Sequence, residues 1–449
     1  MNDWSIAEQH AERAWRHYEA GRWDHALRLL RRALTINPDQ SDWLFGLGLT
    51  LDALSRYEEA ADAYRKLLDV QPNDHEALLH LGMNLIRLGQ PAEALEHIDQ
   101  AHDAEPNQHA CNCHKIAAHA QLGDHDQAEL TFYLAQQEEP DCPVCFDHIA
   151  HSLAMRGELD RAIWCWQRTR ELDPIHPQAN ANAARAHWYL GQLKQARELF
   201  EKHLDDQNND PHAQIEYASL LLEAEDLDAA YTQLTALLDN HPDHSVAHHL
   251  RGDLHIKRNE PELAVASYLA ARQHQPERPG IDLGLALAAH QLGDDASRIQ
   301  HLLAELNSPG QDARQVLELA RQLLDADLSE QAITLLSPIV EGMDDLLVND
   351  EPSLAEAHRL RALAMVAADN HDQAIADCRE AVRMCPTLTE AWIQLVACYT
   401  ATAQLHRAIV CLNHAIELSP DDADLRKLAG KLRRQAMTRG AIKSLRRAA

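Results

Sequence analysis

The feature that most constrains this chain of 449 residues is a sequence period of 34 residues. Prolines recur at one phase of the period, and alanines stand 12 residues before them. The prolines at this phase are Pro38, Pro72, Pro106, Pro140, Pro174, Pro242, Pro276, Pro352, Pro386 and Pro420, with Asn208 at the position that lacks one. A period of this length predicts an array of small structural repeats, each of which stacks only on its neighbours.

The repeat at 39–72 shows what one period encodes. Apolar residues recur at steps of three and four on each side of a break at Ser55 and Arg56, which predicts two amphipathic helices. Glycine usually occupies the break in the other repeats, where it permits a tight turn. The small Ala60 lets the two helices approach closely, and Pro72 ends the second one. One hairpin cannot bury both of its faces, so successive hairpins must stack.

A family resemblance is carried by Leu47, Gly48, Tyr64 and Pro72 in one repeat and by Leu81, Gly82, Gly89, Ala94 and Pro106 in the next. These residues resemble the tetratricopeptide repeat, and the resemblance extends over 5–420. It implies an all-α, right-handed solenoid of about twelve helical hairpins with a C-terminal capping helix.

The period divides the chain into four predicted parts. Ten repeats occupy 5–344, of which 277–310 is degenerate because Arg298 replaces the expected alanine. An insertion at 345–352 is predicted to be an extended helix or an acidic loop, and two more repeats occupy 353–420. The basic segment 421–449 is predicted to form a cap helix that Gly440 could end, or a tail that docks on an acidic partner.

Composition narrows the function. A formal charge of −29 disfavours nucleic-acid binding everywhere except through the basic tail at 426–447. The sequence shows no apolar run long enough for a membrane span and no secretory signal, so cytoplasm is the expected compartment. It also lacks a glycine-rich phosphate loop, a GxSxG elbow and an HExxH motif. We therefore expect no catalytic residues and no enzyme activity.

The resemblance implies a concave groove, lined by the first helix of each hairpin, that binds peptides or partner helices. The positions carried over to this sequence are His80, Met83, Arg87, His114, His148, His151, Asn182, Arg185 and Trp188. Steps of 34 residues place His80, His114 and His148 in a row, where neutral histidines donate and accept hydrogen bonds and gain charge below about pH 6.5. With two arginines, this strip suits an acidic peptide or a C-terminal carboxylate, and Trp188 suits an aromatic anchor. Ordinary solvated histidines are the alternative interpretation, because the chain has 29 histidines.

Two cysteine pairs open neighbouring repeats. The candidate metal ligands are Cys111, Cys113, Cys142 and Cys145. Soft thiolate ligands at this spacing could bind Zn²⁺ where the helix N-termini meet, which favours Cys111, Cys142 and Cys145 over His148. Thiol redox chemistry and plain core packing remain open as well.

Three functions therefore stay open. The first is a non-enzymatic scaffold that binds a peptide or partner segment along 73–208. The second is a metal- or redox-responsive regulator that uses Cys111, Cys142 and Cys145. The third is an adaptor subunit of an envelope, secretion or polysaccharide assembly complex.

Overall fold

The computed structural model describes residues 3–105, 109–207, 209–343, 345–347 and 350–448. Within these ranges the secondary structure is helical, with no strand. The chain divides into two compact units, Met1–Leu220 and Leu221–Ala449. Two positions of the predicted register, Pro106 and Asn208, lie outside the described residues.

Each hairpin consists of an A helix (odd number) followed by a B helix (even number). The first unit contains α1 (Asp3–Glu19), α2 (Trp23–Ile36), α3 (Ser41–Ala53), α4 (Tyr57–Val70), α5 (His75–Arg87), α6 (Pro91–Ala104), α7 (His109–Gln121), α8 (His125–Glu138), α9 (Pro143–Met155), α10 (Leu159–Leu172), α11 (Ala179–Tyr189) and α12 (Leu193–Asp206). The boundary at Leu220 falls within α13 (Pro211–Glu223).

The second unit continues the same order. It contains α14 (Leu227–Asn240), α15 (Ser245–Lys257), α16 (Pro261–His274), α17 (Ile281–Leu292), α18 (Asp295–Glu305), α19 (Ala313–Asp325), α20 (Ser329–Val340), α21 (Glu351–Ala367), α22 (His371–Met384), α23 (Thr389–Ala401), α24 (Leu405–Leu418) and α25 (Ala423–Ala448). The fold is the predicted all-α solenoid of helical hairpins.

The turn inside each described hairpin contains one residue in the left-handed region of backbone conformation. Six of these residues are glycines and six are not: Gly21, Gly89, Gly123, Gly157, Gly191, Gly293, Ser55, Glu225, Asn259, Asp327, Asp369 and Ala403. The next amide closes the turn, as where Gln90 N donates to Leu85 O at 2.8 Å and Arg56 N to Leu51 O at 2.9 Å. This is the hydrogen bond of a Schellman helix end, which satisfies a carbonyl that the helix leaves unpaired.

Small residues bring the two helices of each hairpin together. The periodic alanines are fully buried: Ala26, Ala60, Ala94, Ala128, Ala162, Ala196, Ala230, Ala264, Ala332, Ala374 and Ala408. On the A helices that face these alanines, glycine lies so close to the B helix that a side chain would not fit. A Cβ added to Gly82 would lie 3.2 Å from the Ala94 carbonyl oxygen and 2.5 Å from Ile98 Cγ1. The close approach that Ala60 predicts is therefore general in the array.

The degenerate repeat at 277–310 replaces small-residue packing with buried polar contacts. Arg298, at the position of the missing alanine, is buried and donates from Nη1 to His290 Nδ1 at 3.0 Å and from Nη2 to Gln322 Oε1 at 2.9 Å. Glu305 is buried beside the start of α17, where it accepts the backbone N–H groups of Gly280 and Leu283 at 2.8 and 3.2 Å. One carboxylate thus caps the neighbouring A helix of the same hairpin.

The insertion at 345–352 combines parts of both predicted forms. It contains a short 3₁₀ turn at Asp345–Leu347, whose Leu347 is buried, and the first residues of α21, a helix of 17 residues. Its residues 348–349 lie outside the described part of the chain. At the C-terminus, α25 covers the last hairpin through the buried Leu425, Ala429 and Leu432, as a cap helix should. The helix does not end at Gly440 as expected but continues to Ala448.

Among the described helices, none combines the length and apolar character that a membrane crossing needs.

Candidate functional site

The predicted groove residues lie on four successive A helices of the first unit. We call them the A face: His80, Met83 and Arg87 on α5, His114 on α7, His148 and His151 on α9, and Asn182, Arg185 and Trp188 on α11. His151 and Arg87 are exposed, Asn182 is buried, and the other six are half-buried. The repeat brings all nine onto equivalent helices, which is what the period of 34 residues requires.

The three histidines of the row pack into the face as neutral groups. The rings of His114 and His148 are 5.6 Å apart, and the His80 ring is 5.5 Å from each of the rings of Phe45 and Tyr64. Burial lowers the pKa of His114 and of His148 to about 4, and burial also lowers the pKa of His80. The histidines are therefore neutral hydrogen-bonding groups at neutral pH. Because their pKa values are lowered, they do not gain the positive charge that was expected just below pH 6.5.

Arg87 and His80 face a carboxylate that the sequence analysis missed. Asp52, on α3, lies 3.6 Å from Arg87 Nη1 and 3.9 Å from His80 Nδ1, and it accepts a hydrogen bond of 3.0 Å from Tyr64 Oη. The Arg87 guanidinium also covers the Tyr57 ring at 5.0 Å. This end of the A face is an electrically balanced cluster, since one carboxylate faces one guanidinium.

At the other end, Arg185 also faces a carboxylate. Its Nε donates to both carboxylate oxygens of Glu216 at 2.8 Å, and its Nη1 donates to Asn182 Oδ1 at 2.6 Å. Asn182 Nδ2 in turn donates to His151 Nε2 at 3.3 Å. The asparagine that the resemblance assigns to a ligand backbone therefore already has partners within the chain. The strip is neutral overall, with its arginine charges compensated by Asp52 and Glu216.

The cysteine pairs converge on one group of four side chains at the first turns of α7 and α9. Cys113 Sγ lies 3.6 Å from Cys142 Sγ and 3.0 Å from Cys145 Sγ. His109 Nε2 lies 3.6 Å from Cys145 Sγ, and the four ligand atoms all lie within 4.8 Å of one another. We call this group the Cys3His cluster. All nine cysteines of the chain are described, and none forms a disulfide.

Cys111, which the sequence favoured as a ligand, is not part of the Cys3His cluster. It packs with Ala77 and Ala101 in the core of the preceding repeats. Residues two apart point to nearly opposite sides of a helix, whereas residues four apart share a face, so Cys113 accompanies His109 and Cys111 does not. The four-residue spacing from His109 to Cys113 is the sequence signal that could have identified His109.

The thiols of the cluster perturb one another. Hydrogen bonds from Cys113 and Cys145 hold the pKa of Cys142 below its ordinary value, whereas the same kind of contact with Cys142 and Cys145 raises the pKa of Cys113. Cys142 directly precedes α9, at the N-terminal end where the helix dipole favours a thiolate. These contacts therefore favour loss of a proton at Cys142 over loss of one at Cys113.

A separate cavity of about 350 Å³ opens on the B-helix side of the first unit. Its walls include Phe132 and Tyr133 on α8, Phe146 on α9, and Trp164 on α10. Tyr133 and Trp164 expose 55% and 59% of their surface, which is unusual for large aromatic residues. This cavity is a second surface on which an apolar side chain of a partner could bind.

Comparison with protein-family models identifies the class. One tetratricopeptide repeat model matches residues 12–75, 79–141, 149–211 and 249–313, and a second matches 188–254 and 365–432. Together they cover more than half of the chain, so the chain belongs to the tetratricopeptide repeat family. A comparison with curated proteins gives no significant match.

Solved structures of similar fold include that of yeast Tom70, which is 14% identical in sequence with a TM-score of 0.48 and 96% of each chain covered. The Cut9 and Hcn1 hetero-tetramer of APC/C gives 13% identity and a TM-score of 0.45, with 93% of this chain and 95% of that chain covered. A thermophilic tetratricopeptide repeat protein of Thermus thermophilus gives 24% identity and a TM-score of 0.39, with 41% and 100% covered. These likenesses concern the fold alone.

Proposed function

We propose that this chain is a non-enzymatic scaffold that binds a segment of a partner protein along the A face. The observation that carries the proposal is the row of polar side chains on four successive A helices, which offers hydrogen-bonding groups at the spacing of the repeat. Tetratricopeptide repeat proteins act in general as protein-binding scaffolds. A preformed row of this kind binds an extended or helical segment with little ordering cost to the scaffold itself.

The exposed polar groups of the A face indicate which partner chemistry it would favour. The side chains of Arg87, His151 and Arg185 are 42%, 49% and 34% exposed, so they are the A-face groups that a ligand reaches first. A carboxylate of the partner, on a side chain or at a C-terminus, suits both guanidinium groups. Because Asp52 and Glu216 already compensate these charges, we expect the preference for acidic segments to be modest, less than about tenfold in affinity, as for exposed ion pairs.

Selection from random peptides displayed on phage, with the full chain as target, tests this proposal. Selected peptides are synthesised and their affinities measured by calorimetry. The triple variant Arg87→Ala/His151→Ala/Arg185→Ala should lower the affinity for these peptides by up to about tenfold, since exposed ion pairs and hydrogen bonds each contribute about 1 kcal/mol or less.

The matched control removes two paired arginines from B helices. Arg65, on α4, pairs with Glu93 at 2.9 Å, and Arg168, on α10, pairs with Asp141 at 2.7 Å. The variant Arg65→Ala/Arg168→Ala should retain the affinity of the unmodified chain. Equal affinities for the triple variant and the unmodified chain, or equal losses in the triple variant and the control, would remove the A face as the binding surface.

The assembly-complex alternative makes a different prediction, since it places partner contacts in the basic segment 421–449. Deleting 426–449 should then abolish recovery of partners in a crosslinking pull-down. If binding runs through the A face, the same deletion leaves the affinity of the selected peptides unchanged.

A further inference from the structure

The first turns of α7 and α9 bring together four metal-binding side chains. His109 and Cys113 share one face of α7, and Cys142 and Cys145 flank the start of α9. We propose that this Cys3His cluster binds one Zn²⁺ ion in a closed, four-coordinate site. The proposal goes beyond the scaffold function and does not rest on it.

The distances suit a tetrahedral zinc site. With Zn–S bonds of about 2.3 Å, the sulfur atoms of a tetrahedron lie about 3.8 Å apart, and an imidazole nitrogen lies slightly closer. In the structure Cys113 Sγ is 3.0 and 3.6 Å from the other two sulfur atoms, and no pair of ligand atoms in the cluster exceeds 4.8 Å. Small side-chain rotations bring the four atoms to equal distances from one centre.

The surroundings of His109 provide an independent indication. Its Nε2 faces the sulfur atoms, and its Nδ1 is buried, makes no hydrogen bond to a described residue and lies 3.5 Å from Glu138 Oε2. Asn112 fixes that carboxylate, since its Nδ2 donates to both oxygens of Glu138 at 3.1 Å. Histidines that bind metals usually donate their second N–H to a carboxylate, which raises the basicity of the ligand nitrogen. The cluster places the Glu138 carboxylate beside His109 Nδ1, where it could take this role.

The start of α9 suits a thiolate at Cys142. Pro143 directly follows Cys142 as the first residue of the helix. The N-terminus of a helix stabilises a thiolate, which is the form that binds metals. The Cys142 side chain makes no capping hydrogen bond to α9, so its sulfur is available to a metal ion.

The types of ligand in the cluster favour zinc over other metals and a structural role over a catalytic one. Three thiolates and one imidazole in tetrahedral geometry form a common structural zinc site, whereas a catalytic site keeps one position for water. The site joins α7 to α9, which pack directly on each other. Since His114 follows Cys113, and His148 is one turn beyond Cys145, the metal would fix the spacing of two A-face residues.

Substitution of cobalt for zinc tests the proposal on the full chain. The protein is purified without added metal, its zinc content is measured, and the ion is exchanged for Co²⁺. We expect one zinc per chain and, with Co²⁺, the intense visible bands of tetrahedral cobalt together with a thiolate-to-cobalt charge-transfer band. An octahedral spectrum without the charge-transfer band would overturn the proposal, whatever the variants below do.

Variants assign the ligands. Cys145→Ser removes a ligand and should lower zinc affinity by more than the 10- to 100-fold that is typical for loss of a supporting hydrogen-bond partner, and Glu138→Gln should lower it by about that 10- to 100-fold. Cys111→Ala is the matched control, because it removes a buried thiol from α7, the helix that carries His109 and Cys113, and it should leave zinc affinity unchanged. Equal losses in Cys145→Ser and Cys111→Ala would contradict the assignment.

The competing redox interpretation has its own outcome. The sulfur atoms of Cys113 and Cys145 lie 3.0 Å apart. Alkylation and mass measurement of the purified chain distinguish the cases. Protection of the cluster thiols by zinc supports the metal site, whereas a Cys113–Cys145 disulfide whose reduction yields no metal binding overturns it.

Discussion

At the scale of single residues, each hairpin turn places one residue in the left-handed backbone region, whether that residue is glycine or not. Ala403 has a φ of 61° and Asp369 a φ of 59°, where six sister positions have glycine. Side chains with a Cβ are strained by about 1–2 kcal/mol in this region. The turn geometry persists there because the flanking helices are packed on both sides.

Ala403→Gly should therefore stabilise the protein. Relief of strain exceeds the extra conformational entropy of glycine in the unfolded chain, about 0.5–1 kcal/mol, so we expect a net gain of about 0.5–1 kcal/mol. Thermal unfolding of the full chain measures the effect. Gly157→Ala is the reciprocal variant: a Cβ there meets no atom within 4 Å, so a lowered melting temperature reports the backbone alone. A stabilising Gly157→Ala would refute the strain argument.

The cysteines show how far residue-scale prediction from sequence extends. Two close pairs at neighbouring helix starts were enough to predict that thiols from adjacent repeats meet. The choice between Cys111 and Cys113 depends on the rotation of α7 about its axis, which packing of the preceding repeat determines. The four-residue spacing from His109 to Cys113 is only a weak signal, because it shows a shared helix face without matching a known zinc motif, and Glu138 carries no signal of its own.

At the scale of helices, glycine on an A helix sets the separation of the hairpin. A Cβ added to Gly48 would overlap the Tyr64 ring, and Tyr64 is fully buried with its hydroxyl bonded to Asp52. The ring has little freedom to move away, since Phe45 and His80 pack beside it.

Gly48→Ala should lower the free energy of unfolding by about 1–3 kcal/mol, the usual cost of overpacking a core. Gly46→Ala, on the same helix, is the control because its Cβ would meet Trp15 at 3.2 Å, a contact that a small shift relieves. Denaturant titration gives the free energy of unfolding of each variant, and we expect the larger loss for Gly48→Ala. Equal effects would mean that helix propensity, and not the contact with Tyr64, governs the response.

The degenerate repeat carries its own helix-scale prediction. Glu305 accepts the first amides of α17 with both oxygens, and replacing it with glutamine converts one acceptor into a donor facing those amides. Glu305→Gln should cost about 1–3 kcal/mol of stability, the penalty for leaving buried donors unpaired. The rates of hydrogen exchange at the α17 amides measure this loss of stability. Glu330→Gln, at an exposed position, is the control. Unchanged protection of α17 amides would exclude the capping role.

At the scale of the whole molecule, the period predicted the fold and the membership of the family but not the chemistry of the binding face. Identical spacing of proline, alanine and glycine is a local signal repeated many times, so it survives the loss of single positions such as that of Arg298. The carboxylates that balance Arg87 and Arg185 come from helices one repeat away. Asp52 and Glu216 carry no signal of their own in so acidic a sequence.

The location of a bound segment is the central claim, and photo-crosslinking measures it most directly. A peptide selected on the full chain is given a photoreactive group, irradiated in complex, and its attachment sites are mapped by mass spectrometry. Attachment to α5, α7, α9 and α11, near His151 and Arg185, is the result predicted here. Attachment to the aromatic cavity of α8 and α10, at Tyr133 or Trp164, would show that the A face is not where this protein binds its partner.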